Sequence, residues 1–144
     1  MTIHLIRLCV GVKSIEELAI HQNAHHINYH GYDAVPGWTR RKPKREKELL
    51  DDGSIYWVIN SRIQVRQRLL GFEEGVDETG QSFCQLIYDP TLIKTVSTPR
   101  RPFQGWRYMQ PEDAPPDRGE FRLNDKDGPP EDMAEELRAL GLVD

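Results

Sequence analysis

The sequence predicts an α+β domain with a small, strongly bent and mainly antiparallel β-sheet or barrel, an N-terminal helix and a C-terminal helix. Two observations predict this class. One strand-like run and one capped helix precede four or five further strand-like runs. The runs at 55–60 and 62–70 are separated only by a tight turn, which favours antiparallel pairing. At 144 residues the chain is long enough for one domain with a substantial core.

The first strand and the first helix follow from local patterns. Residues 2–10, TIHLIRLCV, alternate and are rich in β-branched or large apolar side chains, as strands are. Ser14 and Glu17 then form a capping box, because a hydroxyl and a carboxylate can each accept a hydrogen bond from a free backbone N–H at a helix start. We expect this helix to run from about Ile15 to Asn28 and to end near Gly31.

The segment SIYWVINSRIQVRQR, residues 54–68, is the most informative one. It predicts a hairpin that turns near Asn60 and Ser61. Because strand side chains alternate, three apolar residues and one amide are expected to share a face, namely Ile63, Val65, Gln67 and Leu69. The opposite face is expected to present a row of donors from Arg62, Gln64, Arg66 and Arg68.

The segments around this hairpin are less regular. Residues 31–54 hold several glycines and prolines and the basic run TRRKPKREK, in which Pro43 blocks a continuous helix. The following KREKELL can form a short helix. An acidic connection with a DETG turn is expected at 71–81, and further strands are expected at 82–88, 91–96 and 105–109.

The composition changes after residue 110, so we expect an α+β domain at 1–110 and a proline-rich acidic tail at 111–144. The tail includes a terminal helix, EDMAEELRAL, in which Met133, Leu137 and Leu140 share one face. That face is expected to pack on the body of the domain. Residues 112–144 contain eleven acids and four bases, a net charge of −7, whereas the whole chain carries −4. The preceding part therefore carries +3, an asymmetry typical of polyanion binding or of a self-screening tail.

Several classes of function lack support in the sequence. No apolar run is long enough to span a bilayer, and we expect a cytoplasmic protein with reduced Cys9 and Cys84 because no export signal is evident. Nucleotide-phosphate loops, nucleophile elbows and paired CxxC motifs are absent, so catalysis is unsupported and no cofactor is expected. The i, i+4 histidine pairs lack further ligands, so an exposed helix face explains them better than a metal site.

The candidate binding residues are basic and aromatic. The arginine row and the basic loop are expected to contact phosphate through Lys44, Arg45, Arg62, Arg66 and Arg68, with Arg101 from a second cluster, PRRPFQGWRY. Stacking on a base is expected from Tyr56, Trp106 or Tyr108, and Gln67 is expected to read a base edge. A solvated sheet face and an aromatic core with polar edges explain the same pattern equally well.

The chain resembles the bacterial domain of unknown function 1489. The resemblance covers residues 3 to about 118 and rests on HLIRLCVG, on GSIYWVI with VRQR, and on RRPFQGWRYMQPEDAPPD. The family implies no activity. An early helix followed by strands such as IYWVI and IQVRQR is also similar to the PUA-like group, which implies a small bent-sheet barrel that binds RNA or modified bases.

Three hypotheses follow from the sequence. The leading one is a PUA-like domain that binds RNA or a modified nucleotide through the arginine and aromatic residues above. The second is a protein-interaction module that docks a partner, or a second copy of the chain as a homodimer, through the apolar face of the terminal helix and the proline-rich acidic segment. The third is a small nucleotide-directed hydrolase or transferase that uses His4 or Cys84.

Overall fold

The computed structural model describes residues 1–122, which form one open, mixed sheet of nine strands with two short helices. The strands are β1 (His4–Leu8), β2 (Ile27–Tyr29), β3 (Tyr32–Thr39), β4 (Ser54–Ile59), β5 (Arg62–Val76), β6 (Ser82–Tyr88), β7 (Leu92–Pro99), β8 (Trp106–Met109) and β9 (Asp117–Phe121). The helices are α1 (Ile15–Asn23) and α2 (Glu46–Leu49), and a 3₁₀ turn covers Pro111–Asp113.

The strand order is β2-β3-β6-β5-β4-β1-β8, with β7 beside β5 and β9 beside β7. Strands β1 and β4 are parallel, and the other pairs within residues 1–122 are antiparallel. The mainly antiparallel sheet is therefore confirmed, but the sheet is open, so the closed-barrel alternative is wrong for these residues. The protein is mostly sheet with few helices, which matches the predicted α+β class only in part. The predicted C-terminal helix lies outside the described residues.

The 15-residue strand β5 bends the sheet. Its first half lies between β4 and β7, whereas its second half pairs with β6. The register shifts between Leu69 and Gly71, where the two halves meet. A Cβ at position 71 would collide with the Tyr29 ring and hydroxyl, so a larger residue there would displace the Tyr29 side chain.

Strand β4 is buried along its whole length and separates two apolar clusters. Ile55, Trp57 and Ile59 belong to the larger cluster, which helix α1 covers with Leu18. Tyr56 and Val58 belong to a smaller cluster on the opposite face. The predicted core role of Trp57 is confirmed, since only 6% of its surface is exposed.

A bulge at Gln64 reverses the faces of β5 relative to the predicted alternation. Ile63 lies opposite Val58, but Val65 lies opposite Trp57. Because paired residues on neighbouring strands share a face, Ile63 packs in the smaller cluster and Val65 in the larger one. The prediction that Ile63 and Val65 share a face is therefore wrong.

The same bulge divides the predicted arginine row. Arg62 lies opposite Ile59 and so shares the face of the larger cluster. Arg66 lies opposite Tyr56, on the other face, and Arg68 follows it there at the next alternate position. One continuous face of four donors is therefore not formed.

Two other segments differ from the expectations. Helix α1 ends at Asn23 rather than Asn28, because β2 begins at Ile27 and pairs with β3. The segment 31–54 contains the whole of β3, although it includes Pro36. The short β2 stops pairing at Ala34, so Pro36 lies where β3 has a free edge, and its missing N–H breaks no ladder bond.

The predicted division at residue 110 falls between β8 and the 3₁₀ turn. The sheet continues past it, because β9 pairs with β7. The apolar face formed by Met133, Leu137 and Leu140 lies outside the described residues. Within residues 1–122, no helix has both the length and the hydropathy needed to cross a membrane.

Candidate functional site

A cleft of about 1260 Å³ lies where β1 and β3 end and β8 begins. Three arginines and four aromatic side chains line it, namely Arg7, Arg40, Arg41, Trp38, Phe83, Phe103 and Trp106. We call it the arginine-aromatic cleft. It is larger than the roughly 300–1,000 Å³ typical of small-molecule pockets, so an extended ligand fits better than a compact one.

Strand pairing and one loop contact assemble the cleft. Strand β8 pairs with β1, so Trp106 lies beside Arg7. The loop after β3 then reaches across to β8. The Arg41 Nη2 donates to the Trp106 carbonyl oxygen at 3.2 Å, and the Trp106 Nε1 donates to the Arg41 carbonyl oxygen at 2.9 Å. The Arg41 guanidinium also lies 4.1 Å from the centroid of the Trp106 ring, a cation–π distance.

Arg40 is neutralised by Asp77, the one acid among residues 1–122 that lines the cleft. Its Nη1 lies 2.6 Å from the Asp77 Oδ2. The Asp77 Oδ1 accepts hydrogen bonds from the Thr79 hydroxyl and from the backbone N–H groups of Thr79 and Gln81. The Thr79 hydroxyl, then Arg40, hold the pKa of Asp77 well below its usual range. Asp77 therefore stays ionised and ties the β5–β6 turn to the cleft.

Arg7 is half-buried and lines the cleft. It forms no ion pair with any acid of residues 1–122. Burial raises the pKa of the neighbouring Cys9 to about 11, and the charge of Arg7 opposes that rise. A partly desolvated cation without a counter-charge is energetically costly, and a guanidinium can bind phosphate or carboxylate through two parallel hydrogen bonds. Arg7 is therefore the best-placed anion receptor in the cleft.

Trp38 gives the cleft an open aromatic surface. It is 55% exposed at the end of β3, and its ring packs edge-to-face on Phe83 with centroids 5.0 Å apart. This contact fixes the indole while leaving more than half of the side chain accessible. Trp106, in contrast, is only 4% exposed and forms a wall of the cleft. A planar ligand would therefore stack on Trp38 rather than on Trp106.

Gln67 is part of the core and has none of its surface exposed. Its Oε1 accepts hydrogen bonds from Gln22 and from the Trp57 Nε1, at 2.8 and 2.9 Å. Its Nε2 donates to the Gln22 Oε1 and to the Asp89 carbonyl oxygen, at 2.7 and 2.9 Å. The amide is fully engaged inside the protein, so it is not placed to read a base edge.

The arginine row is also engaged with the protein. Arg66 forms two hydrogen bonds with the carboxylate of Asp117, at 2.8 and 2.7 Å, and a third with the Ser54 hydroxyl. Arg62 bonds to Ser97, and Arg68 lies 3.7 Å from the carboxylate of Asp52. The row is thus partnered on its own surface, and none of its members lines the arginine-aromatic cleft.

The aromatic candidates have separate surroundings. Tyr56 is 4% exposed and packs edge-to-face on His4. The Tyr108 hydroxyl accepts hydrogen bonds from the backbone N–H groups of Lys44 and Arg45, at 2.8 and 3.1 Å. The Arg45 side chain is paired with Glu48. Of the predicted binding residues, only Trp106 lines the cleft, and Arg101 is exposed beside it in the loop before β8.

Sequence reasoning missed Arg7. It lies in the run LIRLCV, and because strand side chains alternate it shares the face of the core residues Leu5 and Cys9. An arginine on the inward face of an apolar strand is a signal that could have identified it. The basic loop did contain Arg40 and Arg41, but its pattern did not reveal which of its cations face a cleft.

The two groups considered for catalysis, His4 and Cys84, have the following surroundings. Cys84 has no exposed surface, and burial raises the pKa of its thiol. The His4 Nδ1 accepts a hydrogen bond from the backbone N–H of Ser54 at 3.0 Å. Among residues 1–122, no three His, Cys, Asp or Glu side chains are arranged to hold a metal ion.

Comparison with known proteins gives a family but no activity. No curated protein and no solved structure matches the chain, and a PUA-like relationship is not shown. A family model described as "Protein of unknown function (DUF1489)" matches residues 5–143. The match includes the acidic C-terminal segment, which the resemblance read from the sequence left out. Because the match covers nearly the whole sequence, the chain belongs to the DUF1489 family.

Proposed function

We propose that the protein binds RNA, or a modified nucleotide, in the arginine-aromatic cleft. The observation that carries the proposal is that the exposed ring of Trp38 and the guanidinium of Arg7, which has no ion-pair partner among residues 1–122, line the same cleft. A nucleotide presents a flat base next to a phosphate. The base can stack on the indole of Trp38, and the phosphate can accept hydrogen bonds from the Arg7 guanidinium.

The charges of the cleft support an anionic ligand. Three arginines and one aspartate line it, a net charge of +2. Asp77 compensates Arg40, and Arg41 is stacked on Trp106 with one of its guanidinium nitrogens bonded to protein. A cleft with an excess of positive charge concentrates anions and speeds their association.

The proposed site differs from the one expected from the sequence. The arginine row and the nearby Tyr56 and Gln67 lie elsewhere in the sheet and already have protein partners. The proposed binding site therefore lies at the end of β3, where Trp38 and the basic loop meet β1 and β8, and not on the arginine row.

Fluorescence anisotropy of a labelled single-stranded RNA, at low and moderate salt, tests the proposal. We expect binding that weakens with salt. Trp38→Ala should reduce affinity about 5- to 150-fold, because base stacking contributes ~1–3 kcal/mol. Arg7→Lys keeps the charge but loses bidentate geometry, so it should also bind more weakly than the wild type.

Matched controls come from the same sheet. Tyr32→Ala removes an aromatic ring that is 70% exposed on β3, and Arg68→Gln removes an exposed arginine, but neither residue lines the cleft. Both variants should bind as the wild type does. Absence of binding at low salt, or equal losses in the cleft variants and the controls, would contradict the proposal.

A further inference from the structure

Three further arginines lie beside the arginine-aromatic cleft, around the loop that precedes β8. The guanidinium groups of Arg100 and Arg107 lie 5.2 and 4.5 Å from the centroid of the Phe103 ring. Arg101 is exposed between Arg100 and Phe103 in the sequence. We call Arg100, Arg101 and Arg107 the arginine ledge.

The ledge has no counter-charge within the described part of the chain. Residues 90–111 contain no aspartate or glutamate. None of the three ledge arginines forms an ion pair with an acid of residues 1–122, whereas Arg40, Arg45 and Arg66 all do. Arg100 and Arg107 are held against one ring, with the exposed Arg101 next to Arg100 in the chain. These like charges repel each other, so the ledge favours binding of an anion.

The ledge and the cleft share a wall. Phe103 lines the cleft, and the guanidinium groups of Arg100 and Arg107 lie over the ring of the same residue. The neighbouring residues of this loop, Pro102 to Gly105, also line the cleft. The cleft, in which Arg7 has no acid partner among residues 1–122, and the ledge are therefore neighbouring cationic surfaces that meet at Phe103. Arg107 itself lies on the face of β8 opposite Trp106.

A mononucleotide does not use this surface fully. Its phosphate can neutralise an arginine in the cleft, but it leaves the ledge without an anion. A polynucleotide carries a phosphate at every residue of its chain, so a strand that leaves the cleft over Phe103 can neutralise both groups. The base on Trp38 must be unstacked from its neighbours, which a single strand allows and a duplex resists.

We therefore infer, on the basis of the proposed function, that the ligand is a single-stranded polynucleotide rather than a free nucleotide. One base lies on Trp38 with a phosphate at Arg7, and the following phosphates lie on the arginine ledge. The cleft supplies the contact with the base. The ledge supplies contacts with the backbone that do not depend on base sequence.

The test measures how affinity depends on the length of the ligand. Oligouridylates of increasing length and uridine monophosphate compete with a labelled single-stranded RNA in anisotropy experiments. For the wild type, affinity should rise with length and exceed that of the monophosphate by at least about tenfold. The triple variant Arg100→Gln, Arg101→Gln and Arg107→Gln should lose most of this increase, and its log–log salt slope should fall by about 0.7 for each phosphate that the variant no longer binds.

A control variant removes the same number of charges elsewhere. Lys13→Gln, Lys47→Gln and Arg68→Gln change three exposed cations, none of which lines the cleft or the ledge. This variant should keep the length dependence of the wild type. The ledge variant should bind uridine monophosphate as the wild type does, which also shows that its cleft is folded.

The outcomes separate the inference from the proposed function. Binding of the monophosphate as tightly as any oligonucleotide would overturn the inference and leave the proposed function intact. Absence of binding to both ligands would overturn both. Equal affinity for a duplex and for a single strand of the same length, or equal losses in the ledge and control variants, would also overturn the inference.

Discussion

Arg41 and Trp106 are joined by two reciprocal side chain–backbone hydrogen bonds and by a cation–π contact. Each side chain donates a hydrogen bond to the carbonyl oxygen of the other residue, at 3.2 and 2.9 Å, and the guanidinium stacks 4.1 Å from the indole. The two residues are 65 positions apart in the sequence. Their contact joins the loop after β3 to β8, near opposite ends of the strand order, and so fixes one wall of the cleft.

Replacing Trp106 with Phe should therefore destabilise the protein. The substitution removes the Nε1–H and leaves the Arg41 carbonyl without its donor, which costs about 1 kcal/mol, and the smaller ring adds a cavity term of similar size. Urea unfolding should show a loss of about 2 kcal/mol. Trp38→Phe is the control, because Trp38 is more than half exposed and should change stability by less than about 0.5 kcal/mol. Equal effects of the two substitutions would contradict the structural role of Trp106.

Gln22 and Gln67 form a reciprocal pair of amides inside the core, 5% and 0% exposed. Gln67→Leu should cost about 3–5 kcal/mol, since it leaves Gln22, the Trp57 indole N–H and the Asp89 carbonyl without a shared partner. Gln22→Leu should reduce the free energy of unfolding by less than Gln67→Leu does, because it removes only the hydrogen bonds between Gln22 and Gln67. Urea unfolding of both variants measures the difference.

The double variant Gln22→Leu with Gln67→Leu tests the coupling between these two amides. Its loss of stability should fall short of the sum of the single losses by about 1 kcal/mol, because residues in one hydrogen-bond network do not act independently. Strict additivity would show that the two amides do not form the observed pair.

The sequence predicted the hairpin of β4 and β5 well, because its turn and alternation are local. Asn60 and Ser61 have the positive φ values, 53° and 61°, that such a turn requires. It did not predict the bulge at Gln64, since a bulge depends on the strands that pair with it and not on the period of its own strand. The bulge at Gln64 places Arg62 and Arg66 on opposite faces of the sheet, so the predicted row of arginines is divided.

The sequence predicted a binding site of arginines and aromatics, but it did not show which of these residues line the cleft. Arginines next to aromatics were singled out, yet the partners of Arg66 and Arg40 come from Asp117 and Asp77, which are distant in the sequence. Whether a cation is free to bind a ligand is decided by such partners, and a local pattern does not show them. Arg7 remained without an acid among residues 1–122 for the same long-range reason.

His4 should make stability depend on pH in the range where histidine titrates. Burial, and then the positive charge of Arg66, lower the pKa of His4 from 6.5. The unfolded chain therefore binds more protons between the two pKa values, and stability falls as pH drops through that window. The contribution of neutral His4 is fully present above about pH 6.5 and is lost at lower pH.

Urea unfolding at about pH 7.5 and about pH 5.5 measures this effect against His4→Asn. The Asn oxygen can accept the Ser54 N–H in place of Nδ1 but does not titrate. We expect a smaller loss of stability between the two pH values in the variant than in the wild type. The other histidines are common to both proteins, so equal losses would show that His4 does not carry the dependence.

Both thiols should be inert in the folded protein. Cys9 and Cys84 are 8% and 0% exposed, and burial raises the pKa of each, so neither forms the reactive thiolate readily. Their reaction with a thiol reagent should proceed at the rate of unfolding and become rapid in urea. Rapid modification of Cys84 in the folded protein would contradict this and would favour the hypothesis of a nucleotide-directed hydrolase or transferase.

Strand β9 should contribute to the stability of the sheet, although it lies beyond the predicted boundary at residue 110. It covers Leu92 with Phe121 and gives Arg66 the carboxylate of Asp117. Leu92 is 5% exposed, and the Arg66 side chain is 22% exposed. A chain that ends at residue 110 should therefore be less stable than one that ends at 122, by at least about 2 kcal/mol in urea unfolding.

A point substitution separates the ion pair from the rest of β9. Asp117→Asn in the full chain should cost about 0.5–1 kcal/mol, since the carboxylate is nearly half exposed. Arg66 holds the pKa of Asp117 below its usual value, so this contribution is present at neutral pH and is lost as the pH falls through the acidic range. If truncation at residue 110 lowers the free energy of unfolding no more than Asp117→Asn does, β9 stabilises the sheet only through the Arg66–Asp117 ion pair. Equal stability of the two truncated chains would instead place the end of the folded domain at residue 110, because the strand would then add nothing to the sheet that it borders.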